Sequence, residues 1–241
     1  MPARRRLRIL LILGAFGAVL VGAAVALAQG VVPIKISAVV KVTPNKAGTP
    51  SHPQGVVVDV RGTVDIPFDY DPPITKTVDV WISRGGVYNG AKFPTCSQSG
   101  MEHRGLSACP RGSIMGHGTA RALADTVPSY PRITVVNGGA RKMYLFVVLT
   151  NPARVAKPIP VDIARLRSGK WAYKLHAVVP RSLQIVAGIP LRLQSFHVVS
   201  GRGDWIATTS CPAGNRWSYH VEATYESGQV VKYDGRVPCR R

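Results

Sequence analysis

Acidic side chains are scarce in this chain of 241 residues: 12 Asp and Glu stand against 31 Lys and Arg, a formal net charge of +19. Such a surplus attracts anions, through a field screened beyond about 8 Å at physiological salt. Charge of either sign is thin as well, at 18% of residues, while 46% are hydrophobic, which excludes a disordered polyelectrolyte. Only one long apolar run occurs, Ile9 to Leu27, which excludes a polytopic membrane protein. Cysteine is limited to four, and the first is Cys96, so no lipid-bearing cysteine accompanies that run. Beyond residue 30 no helical periodicity is sustained, and 24 Gly and 19 Pro punctuate the whole chain, so strands and turns are the building material.

The apolar run has the form of an address. A basic block, Arg4-Arg5-Arg6-Leu7-Arg8, precedes it, and Ala26-Leu27-Ala28 offers the small-x-small pattern of a signal-peptidase site. Residues 1–28 are read as a signal peptide, with Gln29 as the new N-terminus. A stretch of about 19 apolar residues can also just span the hydrocarbon core, so retention as an N-terminal anchor is the alternative. Gly14, Gly17 and Gly22 favour cleavage. Either way the folded part is secreted or sits at the cell surface. Residues 29–241 then carry 27 basic and 12 acidic side chains, a net charge of +15.

Four cysteines in an exported chain point to two disulfides. Nearness in sequence pairs Cys96 with Cys109 and Cys211 with Cys239, closing loops of 14 and 29 residues. The rival is a zinc set of Cys96, His103, Cys109 and His117, whose spacing C-x6-H-x5-C-x7-H lacks the tight ligand pairs of structural zinc. No metal or other cofactor is expected.

Ile34, Ile36, Ala38, Val40 and Val42 alternate with Lys35, Ser37, Val39 and Lys41, the period of a half-buried strand. Val56 to Val60 and Thr77 to Ile82 read as further strands. Residues 84–113 form a stapled loop, with a helical turn or two over Ser97 to Arg104. Gly116, Gly118, Ala120 and Ala122 share one face of the next strand, where glycine permits close backbone approach. Two hairpins are the strongest local signals: Ile133–Val136 with Met143–Leu149 around Asn137-Gly138-Gly139, and Trp217–Tyr225 with Val230–Val237 around Ser227-Gly228. Tyr173 to Val179, Leu191 to Val199 and Trp205 to Thr209 lie between them. About ten to twelve short strands argue for one all-β domain over residues 29–241, an antiparallel β-sandwich, immunoglobulin-like or jelly-roll-like.

Phe93-Pro94-Thr95-Cys96 and Ala108-Cys109-Pro110, followed by Gly112-Ser113, Gly116, Gly118 and Ala120, resemble a motif recurring in secreted actinobacterial proteins. Thr209-Ser210-Cys211-Pro212, then Gly214, Trp217, Tyr225, Gly228 and Cys239, fit the same pattern. The resemblance, over about residues 90–240, is to uncharacterised exported β-sandwich proteins with paired Cys-Pro segments. It implies compartment and fold, and carries no catalytic residue across.

Catalytic constellations are weak. Ser113 of Gly112-Ser113-Ile114-Met115-Gly116 is misplaced for a nucleophile elbow, and its pairing with His117 has no support in spacing. Glu222 and Glu226 share a strand face about 13 Å apart, wider than a glycosidase pair. Asp59, Asp65, Asp69 and Asp71 form the densest acidic region and suit either calcium or ordinary turns. Arg202-Gly203-Asp204 spells an adhesion tripeptide but reads as a turn. Trp81, Trp171, Trp205 and Trp217 are read as core or sheet-edge packing, since alternation alone cannot show a stacking platform. Arg165, Arg167, Lys170 and Lys174 form the densest basic patch. The expectation is a non-enzymatic protein that binds or scaffolds an anionic cell-envelope polymer or lipid surface, with no nucleic-acid partner. The alternative is a secreted polysaccharide hydrolase whose carboxylates sequence does not pair.

Overall fold

The structure, a computed structural model, describes residues 32–67, 70 and 73–241. The export segment 1–28 with its cleavage point, and Asp69 and Asp71 of the acidic region, lie outside the described residues.

Among the described residues the chain forms β1 (Lys35–Thr43), β2 (Gln54–Gly55), β3 (Val57–Asp65), β4 (Thr75–Ser83) and β5 (Gly86–Tyr88). A loop carrying helix α1 (Gln98–Arg104) leads into β6 (Ile114–Ala124), β7 (Val127–Ser129), β8 (Arg132–Asn137) and β9 (Lys142–Leu149). Then come β10 (Val155–Arg165), β11 (Trp171–Val178), a single turn α2 (Arg181–Gln184) and β12 (Ile185–Val186). The last elements are β13 (Ile189–Ser200), β14 (Ile206–Thr208), β15 (Arg216–Tyr225) and β16 (Val230–Pro238).

The protein is all-β, antiparallel and closed by two disulfides, as expected. The main sheet runs β1-β3-β13-β6-β8-β9-β10-β11-β4-β15-β16, and β2-β14-β5 make a small separate sheet. The main sheet curls until its two ends meet. Ala38, Val40 and Val42 of β1 pack on Trp217, Tyr219 and Val237 of the last hairpin, and the Tyr219 hydroxyl donates to the Ala38 carbonyl at 2.6 Å. Past the strand ends, Ala47 N–H donates to the Arg240 carbonyl and Arg240 N–H to the Asn45 carbonyl, each at 2.8 Å. The core therefore lies between faces of one continuous sheet path.

Alternation produces the pattern it should. In β1 the odd residues from Lys35 to Thr43 are exposed and the even ones half-buried, and the nine cross-strand pairs with β3 run without a shift. Close approach explains the glycines of β6. A Cβ on Gly116 would sit 2.2 Å from the Val199 carbonyl oxygen, and one on Gly118 2.3 Å from that of His197. Both partners are β13 backbone, which cannot swing aside.

The excursion before β6 is anchored at both ends. Ser97 caps α1, its hydroxyl accepting from Gly100 N–H at 3.1 Å, and Met101 enters a core cluster with Val136, Tyr144 and Phe146. The Cys96–Cys109 disulfide, with Cα atoms 5.0 Å apart, spans the helix. Sequence periodicity missed the short strands β2, β5, β7 and β12, β5 lying inside the 84–113 stretch read as a loop, and one long strand, β10. Pro158 and Pro160 interrupt its pattern, yet they face β9 at Phe146 and Tyr144, and the pairing with β11 starts only beyond them at Val161. Proline is tolerated there because no second ladder needs its missing N–H.

One buried group tests the polar bookkeeping of the core. Tyr225 is 2% exposed among Ile34, Ala223, Ile36 and Val64, and its hydroxyl has no hydrogen-bond partner among the described residues. Burial pushes its phenol up to about 12. Tyr225→Phe is expected to leave the urea midpoint unchanged or raise stability by up to about 1 kcal/mol, because it removes an unpaid desolvation. A clear loss would mean that the hydroxyl is bonded in solution.

Candidate binding site

The predicted basic patch divides. Arg165 ends β10, Arg167 and Lys170 lie in the bend that follows, and Lys174 is on β11. Arg165 and Arg167 meet two arginines from distant segments, Arg84 just after β4 and Arg141 just before β9, around an open groove of about 720 Å³ that Asp162 and Ala164 also line. Arg84 fixes the bend: its Nε donates to the Gly169 carbonyl at 2.8 Å and its Nη2 to the Arg167 carbonyl at 3.0 Å. The Arg141 carbonyl accepts from Ile163 N–H at 2.8 Å, tying its segment to β10. All four arginines are exposed.

The two lysines turn the other way, onto the outer face of the sheet. Lys170 Nζ stands 4.5 Å over the Trp171 ring and Lys174 Nζ 4.7 Å over the Trp81 ring. Lys174 also lies 3.2 Å from the Asp79 carboxylate, to which His176 Nδ1 donates at 2.7 Å. Register continues this into a charged row: Asp162 of β10 opposes His176 of β11, which opposes Asp79 of β4, Glu222 of β15 and Lys232 of β16 in turn. Asp162 is itself paired with Lys142, 3.1 Å away. The adjacent row is Ala164, Lys174, Trp81, His220 and Asp234.

Two carboxylates therefore face each other across neighbouring strands, Asp79 and Glu222. Glu226 is not part of this pair: it is ion-paired to Arg181. Glu222 accepts from Lys232 at 2.9 Å and lies 3.1 Å from His220 Nε2. These two hydrogen bonds, that of Lys232 first, hold its carboxyl below the usual carboxylate range against the opposing effect of burial. Such a group stays ionised at neutral pH and cannot serve as a glycosidase proton donor, which requires a raised value. With a depressed folded value, the stabilisation is complete above the ordinary Glu value of about 4.3 and is lost as pH falls through the folded one. Glu222→Gln is expected to lower stability at pH 7 and to flatten its acid-side decline, as read by urea titrations at several pH values. An unchanged slope would remove Glu222 from the acid response.

Other sequence candidates are occupied by structural duties. Cys96 and Cys109 are disulfide-bonded, so the zinc set with His103 and His117 does not exist. Ser113 is fully buried and donates to the Pro110 carbonyl at 2.7 Å. Asp59 accepts from His197 Nε2 at 2.9 Å. Asp204 of the Arg202-Gly203-Asp204 turn is paired to Lys92 at 2.7 Å, and Trp205 N–H closes that turn on the Arg202 carbonyl. Among the described residues no three His, Cys, Asp or Glu side chains gather as metal ligands.

No protein-family model matches the chain, and no curated protein matches it. Arg84 and Arg141 carried no sequence signal: Arg84 stands alone beside a turn and Arg141 has only Lys142 next to it, and only the order β9-β10-β11-β4 brings them to Arg165 and Arg167. The next neighbour in the sheet, β15 beside β4, makes the Asp79–Glu222 pairing.

Proposed function

We propose that this is an exported, non-enzymatic protein that binds or scaffolds an anionic component of the cell envelope, a polymer or a lipid surface. The observation that carries the reading is the convergence of Arg84, Arg141, Arg165 and Arg167 on one open groove. Guanidinium groups present forked donors that match carboxylate and phosphate oxygens. Two disulfides suit an oxidising compartment outside the cytosol, where an anionic envelope is the abundant partner for a net charge of +15 over residues 29–241. A hydrolase is the second reading, favoured by the facing Asp79 and Glu222. The partners of both carboxylates weigh against it: Lys174 and Lys232 pair with their charges, and His176 and His220 hydrogen-bond to the same oxygens, whereas a glycosidase must leave its carboxylates free.

Co-sedimentation with purified envelope polymers, and with vesicles of phosphatidylglycerol, tests the reading. Arg165→Ala/Arg167→Ala is expected to weaken binding by about tenfold or more, from charge-assisted bonds of about 1.5–3 kcal/mol each. Both residues are exposed, so the variant should keep the parent melting temperature. Equal binding by parent and variant would sink the assignment of the groove.

A further inference from the structure

The four tryptophans are not alike. Trp205 and Trp217 are core residues, 0% and 7% exposed. Trp81 and Trp171 are half-buried on the outer sheet face, and the His220 ring reaches both, at centroid distances of 5.2 and 6.3 Å. This aromatic strip adjoins the arginine groove through the backbone. Trp171 follows Lys170, in the same bend as Arg167, and Arg84 bonds to that bend at Gly169 and Arg167. On the next strand, the groove residue Ala164 lies opposite Lys174, whose ammonium covers Trp81.

We propose that the groove and the strip are one site, and that its ligand is an acidic polysaccharide: arginines hold its anionic groups while Trp171 and Trp81 take the apolar faces of its sugar rings. The inference rests on the binding reading above and narrows its ligand class. A chain of phosphates has no apolar face and would leave the indoles without a role. A lipid surface needs an apolar patch for its acyl region, whereas the face beside the groove carries the charged row of His176, Asp79, Glu222 and Lys232. A saccharide has both requirements in one molecule, C–H faces for the rings and hydroxyl edges for a row of donors and acceptors spaced about 4.8 Å apart by the strands. Lys170 and Lys174 cover the indoles in the free protein. Their flexible stems let the ammonium groups move to the ligand's carboxylates while the rings stack.

The test is calorimetric titration of the exported chain with polygalacturonate and alginate, fully methyl-esterified polygalacturonate, polyphosphate and phosphatidylglycerol vesicles, followed also by tryptophan fluorescence. The acidic glycans should bind and change the fluorescence, and esterification should abolish binding. Trp171→Ala should weaken the glycans by about five- to tenfold and leave polyphosphate within about twofold. Trp171→Phe, which keeps a ring, should restore most of the affinity and guards against a folding defect in the alanine variant. Arg165→Ala/Arg167→Ala should weaken glycans and polyphosphate alike. Equal binding of glycan and polyphosphate, indifferent to Trp171, overturns the saccharide inference and leaves the anion-binding reading standing, as would preference for the vesicles. If none of the anionic probes binds, both fail.

Discussion

Asn137→Ala is expected to destabilise the protein by at least about 3 kcal/mol, an effect out of proportion to one truncated amide. The residue ends β8 and is fully buried. Its amide nitrogen lies 2.9, 3.1 and 3.0 Å from the carbonyl oxygens of Gly90, Phe93 and Pro94. Its Oδ1 accepts from Trp205 Nε1 at 3.1 Å, from the Tyr88 hydroxyl at 3.0 Å and from Gly139 N–H at 3.3 Å. The side chain thus joins the excursion before α1, the small sheet and the β8–β9 turn. Truncation leaves the indole of a 0%-exposed Trp205 without an acceptor and takes a donor from the carbonyls of Gly90, Phe93 and Pro94. A net bond contributes about 1 kcal/mol, but each group left buried and unpaired costs about 1–3 kcal/mol. For a domain of this size the melting temperature should fall by about 6–12 °C. Asn137→Asp should be worse still, because it keeps the acceptor, loses both donors and buries a charge. A loss under about 1 kcal/mol in urea for the alanine variant would show that water replaces the amide.

The second large effect is expected from Cys211→Ala/Cys239→Ala. Closing 29 residues stabilises by about 3.5 kcal/mol in the chain-entropy picture, against about 3 kcal/mol for the 14 residues between Cys96 and Cys109. The bridge also holds local bonds in place. Cys239 N–H donates to the Asn215 carbonyl at 2.9 Å, and Trp217 Nε1 to the Ser210 carbonyl at 2.9 Å. Limited proteolysis should begin between Cys211 and the C-terminus in the double variant, with β1 to β13 still protected. Cleavage starting in the 84–113 loop instead would place the weak point at the other disulfide.

Much of the fold was legible locally. The two hairpins, β8–β9 and β15–β16, carry their turn residues at the right offsets, and the structure pairs them as read. The helical turn at 97–104 and both disulfides were also open to reading, because each joins residues near one another in sequence, and the close approach at Gly116 and Gly118 was legible from the glycines themselves, although the β13 backbone they meet was not. Strand β10 was hidden by Pro158 and Pro160, whose tolerance depends on which flank of the strand is paired. Asn137 looked like a turn residue, yet it ends β8 and reaches inward to the carbonyls of the excursion, a direction that only burial sets. The site was least legible. Arg165 and Arg167 drew attention through proximity, but Arg84 and Arg141 join them only through sheet order, and four lone tryptophans cannot be sorted into core and surface until the faces are known.

The meeting of β1 with β16 has a bearing on behaviour in concentrated solution. Among the described residues each is hydrogen-bonded on one flank only, β1 to β3 and β16 to β15. Two nine-residue strands with an unpaired flank are ready templates for another chain. Here each shields the other, and the clasp of Asn45 and Ala47 with Arg240, next to the disulfide at Cys239, holds them together. The same feature that completes the core thereby keeps copies of the molecule from growing into one another, and a reducing environment would put that protection at risk before it unfolded the rest.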